Sequence, residues 1–178
     1  MPATFALSQT IGVTPGTRQD LGSTGNLANF KNIDSFGTSL YAQNPIPAGS
    51  NSYEVWLQGH FTGTFNSIYD IRFWMSVDFS PNTGLTVYAK TNQQVYQTPV
   101  NATSSIATSI IGTSDPGAAN VSLSGSLSSS LTTSGYTDYI VLQLQTTTAA
   151  PGVSALLNVP PEGLTCALEI SGCPSGIA

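Results

Sequence analysis

The sequence predicts an all-β domain, an antiparallel β-sandwich of jelly-roll-like type. Three observations predict it. Apolar residues alternate with period two in several short segments, which is the periodicity of strands. Gly, Pro, Asn and Ser clusters punctuate those segments at short intervals. The nearest thing to a helical face, Ile106, Ile110 and Ile111, is too rich in β-branched residues to make a good helix. With 178 residues and a 40% hydrophobic composition, the chain makes one domain with a sizeable core.

Residues 1–20 carry Phe5, Leu7, Ile11 and Val13 at odd positions. They read as an edge strand of the domain, or as an N-terminal arm reaching onto a neighbouring subunit. Residues 21–178 form the sandwich. In 53–63, Val55, Leu57 and Phe61 share one strand face, and Trp56, Gln58, His60 and Thr62 share the other. Gly59 between them signals a bulge or a close backbone approach. In 68–79, Ile71, Phe73, Met75 and Val77 alternate with Arg72, Trp74 and Ser76. The short Gly63–Ser67 link predicts that these two strands form an antiparallel hairpin. The turn Ser80-Pro-Asn-Thr-Gly84 leads into a third strand through Leu85, Val87 and Ala89. Residues 136–145 are strong as well, with Ile140, Leu142 and Leu144 on one side. A final strand closes the chain around Cys166, Leu168 and Ile170. The expected core is Val55, Leu57, Phe61, Ile71, Phe73, Met75, Val77, Ile140, Leu142 and Leu144.

Charge is scarce. Asp, Glu, Lys and Arg make up 7% of the chain, against a typical value of about 25%. Ser, Thr, Asn, Gln and Gly take their place, so the surface is neutral and rich in hydroxyls. The four basic residues, Arg18, Lys31, Arg72 and Lys90, are scattered and the net charge is −5. That disfavours a nucleic-acid partner, which needs clustered Lys and Arg, and an anionic membrane surface. No apolar run reaches the length of a transmembrane helix. The N-terminus lacks the basic and apolar regions of a secretory signal. Cys166 and Cys173 leave a C-terminal disulfide and two free thiols both open.

No motif implies a metal, a cofactor or a catalytic centre. No Gly-x-Ser-x-Gly elbow accompanies the single histidine, His60. Asp70 and Asp78 stand at opposite ends of one strand, too far apart for a carboxylate pair. Trp56 and Trp74 each lie opposite the apolar face of their strand. If those strands pair, both rings share one sheet face, to be covered by a loop or by a partner.

The stretches Glu-Val-Trp-Leu-Gln-Gly-His-Phe-Thr-Gly (54–63) and Ile-Tyr-Asp-Ile-Arg-Phe-Trp-Met (68–75), with Thr-Ser-Gly-Tyr-Thr-Asp-Tyr-Ile-Val-Leu-Gln-Leu-Gln-Thr (133–146), resemble small β-rich virion proteins of tailed bacteriophages. The resemblance implies a non-enzymatic capsid decoration, or cement, protein on the capsid exterior. Its partner would be the major capsid protein, and it would sit as a homo-oligomer, a trimer by analogy. The candidate contact residues are Phe5, Leu7, Trp56, His60, Arg72 and Trp74, acting through apolar contacts and strand addition. The competing reading is a carbohydrate-binding or adhesin-like module of a tail or host-attachment structure, with Trp56 or Trp74 as its platform. A β-sandwich hydrolase using His60 is a third.

Overall fold

The computed structural model describes residues 3–21, 30–36, 44–75 and 84–150, together with the backbone of 166–171. Among these the chain is all-β. Its strands are β1 (Thr4–Ile11), β2 (Thr17–Leu21), β3 (Val55–Thr62), β4 (Tyr69–Met75), β5 (Leu85–Gln93), β6 (Ser109–Ile110), β7 (Gly135–Tyr136), β8 (Tyr139–Thr146) and β9 (Cys166–Ser171). The larger sheet runs β2-β1-β3-β8-β5-β6, with β7 also on β3, and the smaller is β4-β9. Every strand pair is antiparallel.

The expected hairpin between β3 and β4 does not form. Both edges of β3 are occupied, one by β1 and the other by β7 and β8. The 63–68 link instead carries the chain from one sheet to the other. It buries Phe65 and Ile68 on the way and turns at Gly63, where φ is 88°. A six-residue link suits a sheet-to-sheet corner as well as a hairpin, and period-two patterning does not distinguish them. β4 pairs with β9 on one side. On its other side Asn120 takes the place of a strand: its side-chain amide accepts from Phe73 N at 2.7 Å and donates to Phe73 O at 2.8 Å.

The core lies where expected. Val55, Leu57, Phe61, Ile71, Phe73, Ile140 and Leu142 form one buried cluster joining the two sheets. Met75 and Leu144 belong to an adjoining one with Leu85 and Val87. Val77 lies outside the described residues, as do Asp78 and Cys173; of Cys166 only the backbone is described. Gly59 is a close approach rather than a bulge. The β1–β3 register runs through it unbroken, and a Cβ there would come within 3.1 Å of Thr137 and 3.2 Å of the Phe5 ring.

The opposite face of the larger sheet is also covered. Trp56 is fully buried, 0% exposed, under residues 94–108. It packs with Tyr96, Ala107, Tyr139 and Val141 in a third cluster. The rings of Tyr96 and Tyr139 meet Trp56 edge-on at 5.1 and 5.4 Å. The larger sheet is therefore dry on both faces where this strap crosses it. No helix forms at Ile106–Ile111; the chain there is loop and the short strand β6.

Candidate functional site

The strap is held by a buried carboxylate. Glu54, 4% exposed, accepts from Trp56 Nε1 at 3.0 Å, Ser105 Oγ at 2.6 Å, Ile106 N at 3.0 Å and Val100 N at 3.3 Å. Four converging donors are what a buried carboxylate needs to offset its lost hydration. Gln143, fully buried, adds bonds from Nε2 to the carbonyls of Ser52 and Ala102 at 3.1 and 3.2 Å. Glu54 is therefore a structural anchor, and Trp56 offers no surface to a partner. Its place among the contact residues is corrected: the strap covers it.

Phe5 and Leu7 are half-buried and pack within the chain. Residues 4–21 form a hairpin within the sheet, and β1 has β2 on one side and β3 on the other. The Phe5 ring packs on Phe61 at 5.1 Å, and Leu7 packs against the main core. With both edges paired, β1 cannot itself add to a neighbour's sheet. β2, the other strand of this hairpin, is the end strand of the larger sheet. Trp74 is half-buried on β4, in the other sheet from Trp56, so the two tryptophans do not share a platform. Arg72, also half-buried on that strand, bonds Asp70 and Asp115.

His60 has the richest surroundings. On one face of the larger sheet, Asp20, Ser8 and Gln58 stand in a row across β2, β1 and β3. His60 and Tyr136 form the neighbouring pair across β3 and β7. Ser8 Oγ donates to one oxygen of Asp20, and His60 Nδ1 donates to the other at 2.9 Å. The imidazole stacks on Tyr136 with centroids 4.0 Å apart and planes 9° from parallel. Arg18 reaches over from β2. Its guanidinium carbon lies 4.2 Å from the centre of the Tyr136 ring, and Nη2 donates to the Tyr139 hydroxyl at 2.9 Å.

The electrostatics follow from these contacts. Burial pushes the Asp20 carboxyl upward, but the hydrogen bonds from Ser8 and His60 outweigh it and leave its pKa below the ordinary value. Burial works against the Arg18 charge, and the bonds to Tyr139 and Tyr136 together more than offset it. Burial drives the Tyr96 phenol well above its usual range, with the Asp34, Tyr139 and Glu54 charges adding to this. Tyr96 is therefore a neutral donor, 2.6 Å from the carbonyl of Gly12. That bond ties the β1–β2 turn to the strap.

Ser8, Asp20 and His60 are the residue types of a hydrolytic triad, but the order is wrong. The carboxylate is in the middle, and no bond links Ser8 to the imidazole. A relay needs the imidazole between acid and nucleophile. What the cluster offers instead is a neutral pair of charges beside two stacked rings. His60 Nε2 has no hydrogen-bond partner among the described residues. Gln58 Oε1 is buried with no donor, while Gln58 Nε2 donates to Thr137 O at 2.6 Å. Sequence singled out His60 but not Arg18, Asp20 or Tyr136. The spacing of Arg18 and Asp20, two apart on one strand, puts both on one face, yet nothing local says that this face meets His60.

A cleft of about 690 Å³ lies between β5 and residues 105–112. Several of its polar groups are already engaged: Ser105 on Glu54, Thr91 on the Asn120 carbonyl, and the Asn120 amide on Phe73. Among the described residues there is no group of three or more His, Cys, Asp or Glu placed to hold a metal ion. No described helix is long and apolar enough to cross a membrane. No protein-family model matches the chain, and neither a curated protein nor a solved structure is significantly similar to it.

Proposed function

We propose that this chain is a bacteriophage virion structural protein, a capsid decoration protein that clamps neighbouring capsid subunits through apolar and hydroxyl contacts. One observation carries the reading. Between Lys90 and Asp138 the sequence has a single charged residue, Asp115, and that one is paired with Arg72 at 3.2 Å. This long stretch is mostly exposed and presents isolated apolar side chains, Val95 at 68%, Ile110 at 70% and Leu127 at 48% exposure. Val13, 77% exposed, stands on the β1–β2 turn, which bonds to the same stretch through Thr14 N and Thr98 Oγ1 at 3.1 Å. Charge depletion is the compositional mark of interface cores.

The contact surface in this reading is the 91–137 face and the β1–β2 turn, in place of Trp56, Phe5 and Leu7. The partner is the major capsid protein, and the chain acts as a homo-oligomer, a trimer by analogy with other cement proteins. Cryo-electron microscopy of the source particle tests it. Density for this sandwich on the shell, with residues 91–137 turned to the capsid subunits, is the expected result. A shell that lacks the chain would sink the reading.

A further inference from the structure

We propose that the outer edge of β2 is a self-association surface, where a second copy of this chain pairs antiparallel about a two-fold axis through Gln19. β2 ends the larger sheet: it pairs with β1 and with no other described strand. Among the described residues, nothing bonds the backbone groups on its outer side. Thr17, Arg18, Gln19 and Asp20 are all exposed. An edge of this kind is a template for another strand, and proteins ordinarily blunt it with Pro, Lys, a bulge or a covering loop. β2 carries neither Pro nor Lys. Its register with β1 runs unbroken from Leu7 opposite Leu21 to Ile11 opposite Thr17, so no bulge interrupts it.

The occupant follows from charge. Arg18 and Asp20 flank Gln19, the middle residue of the strand, and side chains two apart on a strand share a face. An antiparallel copy centred on Gln19 sets Thr17 opposite Leu21 and Arg18 opposite Asp20, each pair occurring twice by symmetry. The whole strand is then used, and both charged pairs are of opposite sign, which favours pairing. The neighbouring registers are worse. Centring the axis on Arg18 or on Asp20 puts like charges opposite one another, and those repel. A one-residue shift sets Arg18 opposite Gln19, whose side chain points to the other face, and so breaks the symmetry. Neither charge is exhausted by its partners within the chain. Asp20 holds Ser8 and His60 on separate oxygens, each with a lone pair to spare, and its side chain is 46% exposed. Arg18 donates from Nη2 to Tyr139, and a guanidinium carries donors beyond that one. This edge is not part of the shell-contact surface proposed above. A two-fold contact here ties adjoining copies, or adjoining trimers, to one another, and it is measured on the free chain, so its failure leaves the shell reading untouched.

The test is sedimentation equilibrium of the free full chain up to about 1 mM, with amide hydrogen exchange of β2 followed over the same range. The contact is small, so a Kd on the order of 100 µM is expected. Mass doubles with concentration, from monomer to dimer or from trimer to hexamer, and amides of Thr17–Leu21 exchange more slowly as it does. Arg18→Asp and Asp20→Arg each set like charges across the axis and weaken the step at least about tenfold. Mixed in equal amounts, the two variants face each other with opposite charges and associate. Four results would overturn the proposal: no doubling of mass, exchange in β2 that ignores concentration, variants that self-associate as well as the unaltered chain, or folded variants that stay apart when mixed. Should a variant fail to fold, mass and β2 exchange in the unaltered chain decide alone.

Discussion

Glu54 shows how much a single residue can organise. Its two oxygens collect donors from its own strand and from the strap, so they fix the strap's position over Trp56. Replacing one oxygen with an amide nitrogen leaves at least one buried donor facing another donor. Glu54→Gln is expected to destabilise the fold by about 1–3 kcal/mol and to raise the fluorescence quenching of Trp56 by solvent. A denaturant midpoint equal to that of the unaltered chain would refute the anchor role. Asp20 gives a pH-dependent counterpart. Its pKa is lower in the folded chain than its ordinary value of 3.8, because Ser8 and His60 outweigh burial. A carboxyl depressed by folding contributes stability that is fully present above the unfolded value and lost as pH falls through the folded one. The stability gap between the unaltered chain and Asp20→Asn should therefore be constant near neutrality and close below about pH 4. With the side chain half exposed, the gap is under about 1 kcal/mol. A gap that persists unchanged down to pH 2 would contradict the assignment.

At the level of elements, the β1–β2 hairpin and the 94–108 strap behave as one unit. Tyr96 meets the turn from below, and Gly16 (φ 77°) is the residue it touches: a Cβ there would lie 2.5 Å from the Tyr96 ring and 2.8 Å from Thr10. Gly16→Val combines a left-handed backbone with a clash against a ring, so a loss of at least about 2 kcal/mol is expected. Proteolysis within 94–108 should accelerate in the same variant; an unaltered cleavage rate would show the two segments to be independent. This coupling was hidden in the sequence, where residues 91–137 read as a Ser/Thr-rich stretch with few signals. Strand interiors were legible because period two survives burial on either face: Ile71, Phe73 and Met75 alternate with Arg72 and Trp74 in the structure as in the sequence. Strand partners were not legible. The pairing of β3 with β1 and β8 depends on which edges were still free, a property of the whole sheet. The covering of Trp56 was one of two readings left open, and the strap resolves it through Glu54, which sequence alone marks only as a strand-end acid.

At the scale of the molecule, the described residues draw polar chemistry inward and leave the exposed loops with little charge. Glu54, Asp138 and Gln143 are buried and bonded to the backbone or side chains of loop segments. They give irregular stretches the fixed geometry that helices or further strands would otherwise supply. The exposed part of those stretches is left with hydroxyls, amides and single aliphatic side chains. A surface of that kind binds by shape, dispersion and neutral hydrogen bonds, none of which ionic screening weakens appreciably. Charged interfaces behave differently, because the screening length shrinks to about 3 Å at 1 M salt. If the proposed shell role is right, particles washed from low salt to about 1 M NaCl should keep their full complement of the chain. Ile110→Asp and Val95→Asp should reduce occupancy on the particle while leaving the free chain's thermal midpoint unchanged, since both side chains are about two-thirds exposed. Stripping by salt would mean that the few remaining charges hold the chain in place, and the neutral face would then need another explanation.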